Sequence, residues 1–191
     1  MSEFLDVMQG YDDVTPTQGL VSEPLAKGWY WLKAEVMNKD VTKSGLPRVR
    51  FMFRALDLDT GEPMKGKIAF VDWYLAASKT VGRDEEKRDR TPEEYRKSLN
   101  SVQAQCKGLF EKAMKVPKGA PTGEGADQVF NFFNVDACDG RDFVAEVLVD
   151  KDGRNGLRSY HPVDDEKHGL AWLRAKGSGK TAAPAAATST F

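Results

Sequence analysis

Rings and cations alternate with apolar residues along the first predicted strands of the chain, and these side chains are the best suited to bind a ligand. One side of the alternation carries two tryptophans along residues 28–41 and three arginines along residues 48–54. The rings and cations are Trp29, Trp31, Lys33, Arg48, Arg50, Arg54, Lys65 and Lys67. Unpaired bases stack on aromatic faces, while lysine and arginine follow the phosphates. This combination predicts a surface for single-stranded nucleic acid.

A packing role would explain some of the same residues. Trp29 and Trp31 could cap the open end of a small barrel, with the arginines only solvating a strand. Trp73 and Tyr74 lie on a predicted strand, residues 66–75, that is apolar on both sides, so core and stacking roles are equally compatible with them. Three further candidates for the same groove are Lys43 in a hairpin loop, and Arg158 and Tyr160 on the last strand.

Signals for catalysis or for a bound metal are weak. Residues 177–181 echo a phosphate-binding loop, but Arg174 stands where the motif needs its first glycine. His161 and His168 flank three carboxylates, a composition that usually binds no metal in a surface loop. Cys106 lies on the apolar stripe of a predicted helix and is expected in the core. We therefore expect no enzyme activity, no cofactor and no metal.

The predicted elements come in the order of three strands, a helix and two strands. Alternating apolar residues predict strands over residues 28–41, 49–55, 66–75, 143–149 and 157–163. The helix starts at Thr91, a favourable N-cap followed by proline and two glutamates, and ends before Pro117; a short second helix is predicted over residues 127–135. This order predicts a mainly β fold with one inserted helix. It is typical of a five-stranded OB-fold, a partly open barrel that binds oligonucleotides.

A single core accounts for the chain of 191 residues. We expect a flexible lead-in over residues 1–24, the OB-fold domain over residues 25–173, and a disordered low-complexity tail over residues 174–191. The mixed charge run at residues 78–90 is typical of a solvated loop.

Composition limits the partners that the chain can bind. Lysine and arginine number 28 against 29 aspartates and glutamates, so attraction to a polyanion needs a local patch of positive charge. Two isolated cysteines favour a reducing cytoplasm, and the lack of an apolar run near ~18 residues argues against a membrane partner. An exposed sheet edge would permit a homo-oligomer.

Four short segments and a closing hairpin occur in an order known from one family. The segments are residues 24–30 (PLAKGWY), 41–45 (VTKSG), 70–74 (FVDWY) and 104–107 (AQCK), and the hairpin is residues 143–160. Together they resemble the bacteriophage single-stranded DNA-binding proteins of replication and recombination modules. The resemblance covers residues 24–163 of the chain.

The resemblance implies an OB-fold that coats single-stranded DNA without sequence preference during phage replication or recombination, in the cytoplasm of a bacterial host and without a cofactor. It also implies phage or host replication and recombination proteins as partners. Such proteins often end in an acidic tail whose last aromatic residue recruits partners; here Phe191 is terminal, but residues 176–190 contain no acid. The alternative is an OB-fold protein-interaction module that binds no nucleic acid, which suits the near-neutral charge.

Overall fold

The computed structural model describes residues 23–81 and 87–177. Within them the strands are β1 (Glu23–Pro24), β2 (Gly28–Val41), β3 (Pro47–Leu56), β4 (Pro63–Tyr74), β5 (Thr80–Val81), β6 (Arg88–Asp89), β7 (Asp142–Val149) and β8 (Asn155–His161). The helices are α1 (Pro92–Cys106), continued by a π-helical segment (Lys107–Ala113), α2 (Ala126–Phe132) and α3 (Leu170–Gly177), with a 3₁₀ turn at Val135–Cys138. None of these helices is long and apolar enough to cross a membrane.

Most of the predicted lead-in and tail, including Phe191, and the middle of the charged run lie outside the described residues.

Six strands form one sheet in the order β1-β4-β3-β2-β7-β8, and β5 pairs only with β6. Neighbouring strands are antiparallel, except that β1 runs parallel to β4. Alternation in the sequence explains which face is buried, because successive side chains of a strand point to opposite faces. Leu32 and Ala34 of β2 and Phe51 and Phe53 of β3 are fully buried on the inner face. The residues between them lie on the outer face, turned away from this core.

A β-bulge interrupts the alternation of β2. The register of β2 against β3 shifts by one residue between Val36 and Asn38. As a result, Asp40 lies opposite Arg48 on the outer face, whereas an unbroken alternation would turn it inward. The bulge therefore brings a carboxylate beside an arginine on a surface that the sequence alone predicts to be basic.

The sheet is not closed into a barrel. Its edges are β1 and β8, and no ladder joins β4 to β8 in the described part of the chain. Across this gap the rings of Trp73 and Tyr160 approach edge to face, with their centroids 6.0 Å apart. The predicted mainly β architecture is confirmed, but as an open sheet in place of a barrel. The described residues contain three helices, of which α1 is the predicted inserted helix and α2 overlaps the predicted short second helix.

Helical segments cover the inner face of the sheet. Leu109 and Phe110 of the π-helical segment are buried, and the Phe110 ring lies 6.0 Å from that of Phe51. Gly108 lets Tyr160 of β8 pack against the start of this segment, because a Cβ there would lie 2.7 Å from a ring carbon of Tyr160. The second helix and the 3₁₀ turn add Phe130, Val135 and Cys138 to the same core.

Helix α1 begins at the predicted N-cap. The Thr91 hydroxyl accepts the Glu94 N–H at 3.2 Å, and the Glu94 carboxylate accepts the Thr91 N–H at 2.9 Å. Arg88 of β6 donates two hydrogen bonds to the same carboxylate, at 2.7 and 2.8 Å. The Arg88 contact, followed by the Thr91 amide, lowers the pKa of Glu94 to about 2. The carboxylate is therefore ionised near neutral pH and links β6 to the start of α1.

Replacing Thr91 with alanine should lower the free energy of unfolding by about 1 kcal/mol, because one amide in the first helical turn loses its side-chain acceptor. Urea denaturation followed by circular dichroism measures the change. Ser101→Ala, at an exposed position in the middle of α1, is the matched control and should not destabilise, since alanine favours helix. An equal loss in both variants would contradict the capping role.

Helix α3 packs on the outer face of the sheet, against the first half of β2. The rings of Trp172 and Trp29 meet edge to face at 5.0 Å, and Leu173 is buried. Val144 of β7, opposite Trp31 in the register, is buried on this same face. A second, smaller apolar cluster thus lies on the side of the sheet opposite the main core.

Three segments differ from the boundaries expected from the sequence. Helix α3 continues to Gly177, four residues into the predicted tail. Residues 23 and 24, at the end of the predicted lead-in, pair with Lys67 and Ile68 of β4. Residues 80–81 and 88–89 form a short ladder at the two ends of the charged run that was expected to be a loop.

Candidate nucleic-acid interface

The outer face of the sheet has a covered half and an open half. Trp29 and Trp31 lie on the half beneath α3. The open half, called the open face below, runs across β2, β3 and β4 beyond these tryptophans. In register, its rows are Lys33, Arg54 and Ile68; Glu35, Met52 and Phe70; Asn38, Arg50 and Asp72; and Asp40, Arg48 and Tyr74.

Trp29 is surrounded by other rings. His168 stacks on it with the centroids 5.8 Å apart and the planes 12° from parallel. Trp172 meets it edge to face, and His161 lies 5.9 Å away. The Trp29 side chain is half-buried by these neighbours. Its contacts therefore favour a packing role in seating α3 on the sheet.

Trp31 is also held from several sides. Its indole N–H donates to Asp142 at 2.8 Å, and the guanidinium of Arg174 lies 5.8 Å from the ring. Gly61, at a φ of +75°, lets the turn between β3 and β4 pack on the indole, since a Cβ there would lie 3.1 Å from the ring. For both tryptophans the structure thus supports the packing alternative over a free stacking surface.

Two other rings are exposed on the open face. Phe70 is 48% exposed and Tyr74 is 45% exposed, both on β4 and on either side of Asp72. Tyr74 is among the residues predicted from the sequence and Phe70 is not, because a strand that is apolar on both sides does not show which rings are exposed. The inner face takes Ala69 and Val71, which leaves Phe70 pointing outward.

Each arginine predicted to contact phosphate is paired with a carboxylate. Arg50 donates two hydrogen bonds to Asp72, at 2.7 and 3.0 Å. Arg48 bridges Asp72, at 3.0 Å, and Asp40, at 2.6 and 2.9 Å. The third pair joins Arg54 to Glu35. The open face therefore carries organised cations whose charge is largely balanced within the face.

These ion pairs are charged at neutral pH. The hydrogen bonds from Arg50 lower the pKa of Asp72, and those from Arg48 lower the pKa of Asp40. Arg50 nevertheless has donor capacity to spare: its side chain is 49% exposed, and among the described residues no acceptor is bound to its Nη1. Arg50 is the arginine of this face best placed to contact an added anion.

Two of the predicted lysines, Lys33 and Lys43, lie on or beside the open face, whereas Lys67 of β4 is two residues from Ala69 and therefore lies on the inner side of its strand. Lys33, Lys43 and Lys65 are exposed, and Lys67 is partly exposed. Lys43 is carried by the hairpin between β2 and β3, which is fixed by the Thr42 hydroxyl accepting the Leu46 N–H at 3.0 Å. Lys33 in the first row and Lys43 in the hairpin therefore add positive charge at the edge of the open face.

Three further predicted residues are not brought to the open face. Trp73 is 8% exposed and belongs to the main core. Tyr160 is half-buried on β8, with its hydroxyl donating to the Gln105 carbonyl at 3.2 Å. Arg158 is exposed on β8, at the opposite edge of the sheet, near Glu146 at 3.8 Å. The predicted extension of the groove along the last strand is therefore not continuous with the two exposed rings, Phe70 and Tyr74.

The two cysteines lie in the core, as predicted for Cys106. Burial raises the pKa of Cys106 to about 11 and that of Cys138 to about 12. Both thiols therefore stay protonated near neutral pH and are poor nucleophiles.

Comparison of the chain with protein-family models, with curated proteins and with solved structures finds no match in any of the three.

Proposed function

We propose that the protein binds single-stranded DNA on the open face, without sequence preference. The observation that carries the proposal is the exposure of Phe70 and Tyr74 on a strand whose neighbour presents three arginines. Isolated surface rings are common, but two rings beside ordered cations match the way in which single strands are held. The function is binding alone, with no catalytic step.

The spacing of the two rings suits separate bases. Residues four apart on a strand lie about 13 Å from each other, because a strand rises ~3.3 Å per residue. Arg50 occupies the row between them, opposite Asp72. A single DNA strand that crosses the open face can thus stack one base on each ring, while Arg50 contacts a phosphate between them.

The strand order supports assigning the fold to the OB class. The ladder β4-β3-β2-β7-β8 is that of three consecutive strands followed, after the helices, by a hairpin paired with the first of them. An OB-fold is partly open and binds its ligand on the second and third strands, here β3 and β4, and on flanking loops. The β2–β3 hairpin with Lys43 would then reach over the bound strand. We infer a role in phage replication or recombination in a bacterial cytoplasm from this assignment and from the family resemblance.

Fluorescence anisotropy of a labelled thymidine oligonucleotide tests the proposal. Binding should weaken as salt rises, because phosphate contacts release counterions. Unlabelled single strands should compete and duplex DNA should not, since duplex bases are not free to stack. A lack of binding at low salt would rule the proposal out. Equal competition by duplex would point to phosphate contacts alone.

Asp72→Asn should strengthen binding to the same oligonucleotide by about fivefold, because two like unit charges 4 Å apart in water interact by ~1 kcal/mol. The change removes a carboxylate from the middle of the open face and releases donors of Arg50 and Arg48. Asp164→Asn is the matched control, since Asp164 is an exposed carboxylate in the loop after β8, paired with Lys115. Unchanged or weaker binding by the Asp72 variant would place the phosphates elsewhere.

A protein-interaction module is the second candidate, and the balanced charge of the open face favours it. Three arginines already paired with carboxylates are less available to phosphates than free ones. Met37 and Val41 of β2 are also exposed, at 52% and 51%. Specific capture of a replication protein by the chain, lost in a Phe70→Ala variant and combined with no oligonucleotide binding, would favour this function.

A further inference from the structure

The two histidines of the whole sequence lie side by side. The imidazole centroids of His161 and His168 are 4.7 Å apart. The Asp165 carboxylate joins them, with its Oδ2 3.9 Å from His161 Nδ1. Possible ligand atoms of the three residues all lie within 4.8 Å of one another. Two imidazoles and a carboxylate are a common donor set for zinc and other divalent transition metals.

The loop that carries these residues is fixed by its own hydrogen bonds. Asp165 Oδ1 accepts the N–H groups of Lys167 and His168, at 3.0 and 2.7 Å. The Gly169 N–H donates to the Asp165 carbonyl at 2.9 Å, and Gly169 is buried where a Cβ would lie 2.4 Å from that oxygen. One carboxylate oxygen is therefore used to hold the loop, and the other is directed towards His161.

The state of the side chains suits a ligand set. Backbone hydrogen bonds, chiefly from His168, lower the pKa of Asp165, so its carboxylate is charged. Burial, followed by the adjacent His168, lowers the pKa of His161. Trp29, stacked on His168, forms an apolar wall behind the pair.

We propose that His161, Asp165 and His168 bind one divalent transition-metal ion, with zinc as the best match, and that this ion fastens helix α3 to the sheet. In a tetrahedral zinc site with bonds of ~2.0–2.1 Å, ligand atoms lie about 3.3 Å apart. Small side-chain rotations bring the three donors to that spacing, which leaves the fourth position open to water. His161 ends β8 and His168 precedes α3, so the ion joins the sheet to the helix that covers Trp29 and Trp31.

Zinc titration of the full chain, freed of metal with a chelator, tests this site. Isothermal titration should show one ion per chain. At free zinc 100-fold above Kd, the ratio of folded to unfolded protein should rise about 100-fold, seen as a higher Tm. With only two histidines in the chain, NMR of their imidazole nitrogens reports the site directly, and both rings should shift. An absence of zinc binding, or binding that moves neither imidazole, would overturn the proposal.

Asp165→Asn and Asp164→Asn form a matched pair of variants. Asparagine at 165 keeps an oxygen for the two loop amides but loses the charge, so zinc affinity should fall about tenfold or more. The same change at Asp164, the exposed neighbour paired with Lys115, should leave affinity unchanged. His168→Ala should abolish binding, and near-UV circular dichroism without metal shows whether α3 is still seated. Equal zinc affinity in the two aspartate variants would refute the site even if His168→Ala does not fold.

Discussion

The double variant Phe70→Ala/Tyr74→Ala is expected to bind single-stranded oligonucleotide at least about 30-fold more weakly than the native chain, because each stacked base contributes ~1–3 kcal/mol. Both rings are about half exposed on the outer face, so their removal leaves the core intact. The fluorescence anisotropy titration described for the native chain measures the loss, and the change should be in affinity with little change in thermal stability.

Phe132→Ala is the control for this pair. Phe132 is a partly exposed ring on α2, in contact with Phe133 and with Lys118 at 6.0 Å, and it lies outside the open face. Its removal should leave affinity unchanged. If the double variant bound as tightly as the native chain, the open face would not be the binding site. If Phe132→Ala lost as much affinity, the effect would reflect surface rings in general.

Phe110→Ala should lower the free energy of unfolding by about 3–5 kcal/mol, because removal of a buried ring leaves a cavity. Phe110 is 1% exposed, and its ring lies 6.0 to 6.3 Å from those of Phe51, Trp73 and Phe133. It belongs to the π-helical segment and joins the helical layer to β3 and β4. Urea denaturation should show a lower midpoint at a similar slope, and Tm should fall by about 10 °C.

Phe132→Ala serves again as the control, since it removes the same atoms from a partly exposed position. A fall of less than about 1 kcal/mol is expected there, as for most surface substitutions. If the two variants lost the same stability, the π-helical segment would not be the part of the helical layer that anchors the core.

The sequence predicts this fold well where the determinants are local. The alternation of β3, that of β2 as far as Val36, and the cap at Thr91 depend only on residues a few positions apart, and all three are confirmed. Barrel closure depends instead on how closely β4 and β8 approach. That distance is set by helical packing far away in the sequence, so alternation alone cannot supply it.

The tryptophans show why the site was harder to predict than the strands. Trp29 and Trp31 do lie on the outer face of β2, as the alternation predicts, but a side chain on the outer face can still be covered by another element. They are covered by α3, which lies more than 130 residues further along the chain. A helix of eight residues directly before a low-complexity stretch gives little periodic signal.

The arginines illustrate a second limit, which comes from the bulge. By strict alternation Asp40 would point inward, and Arg48 would lack this partner on the outer face. One extra residue in β2, between Val36 and Asn38, moves every later side chain of the strand to the opposite face. Lys39 and Asp40 both change side in this way. Lys39 accordingly pairs with Asp136 of the 3₁₀ turn at 2.7 Å instead of joining the basic surface. The shift of one residue thus adds the Asp40 carboxylate to this face and removes Lys39 from it, while Asp72 and Glu35 pair with Arg50 and Arg54 independently of the bulge.

The gap between β4 and β8 gives the sheet a mechanical freedom that a sealed barrel lacks. Strand β2 joins the pair β4-β3 to the pair β7-β8 through backbone hydrogen bonds. Moving these two pairs of strands apart would separate the rings of Trp73 and Tyr160, but it would break no backbone hydrogen bonds between β4 and β8. The curvature of β4, which carries Phe70 and Tyr74, is therefore not fixed by backbone hydrogen bonds to β8, and side-chain packing of Trp73 against Phe110 and Tyr160 joins the two strands.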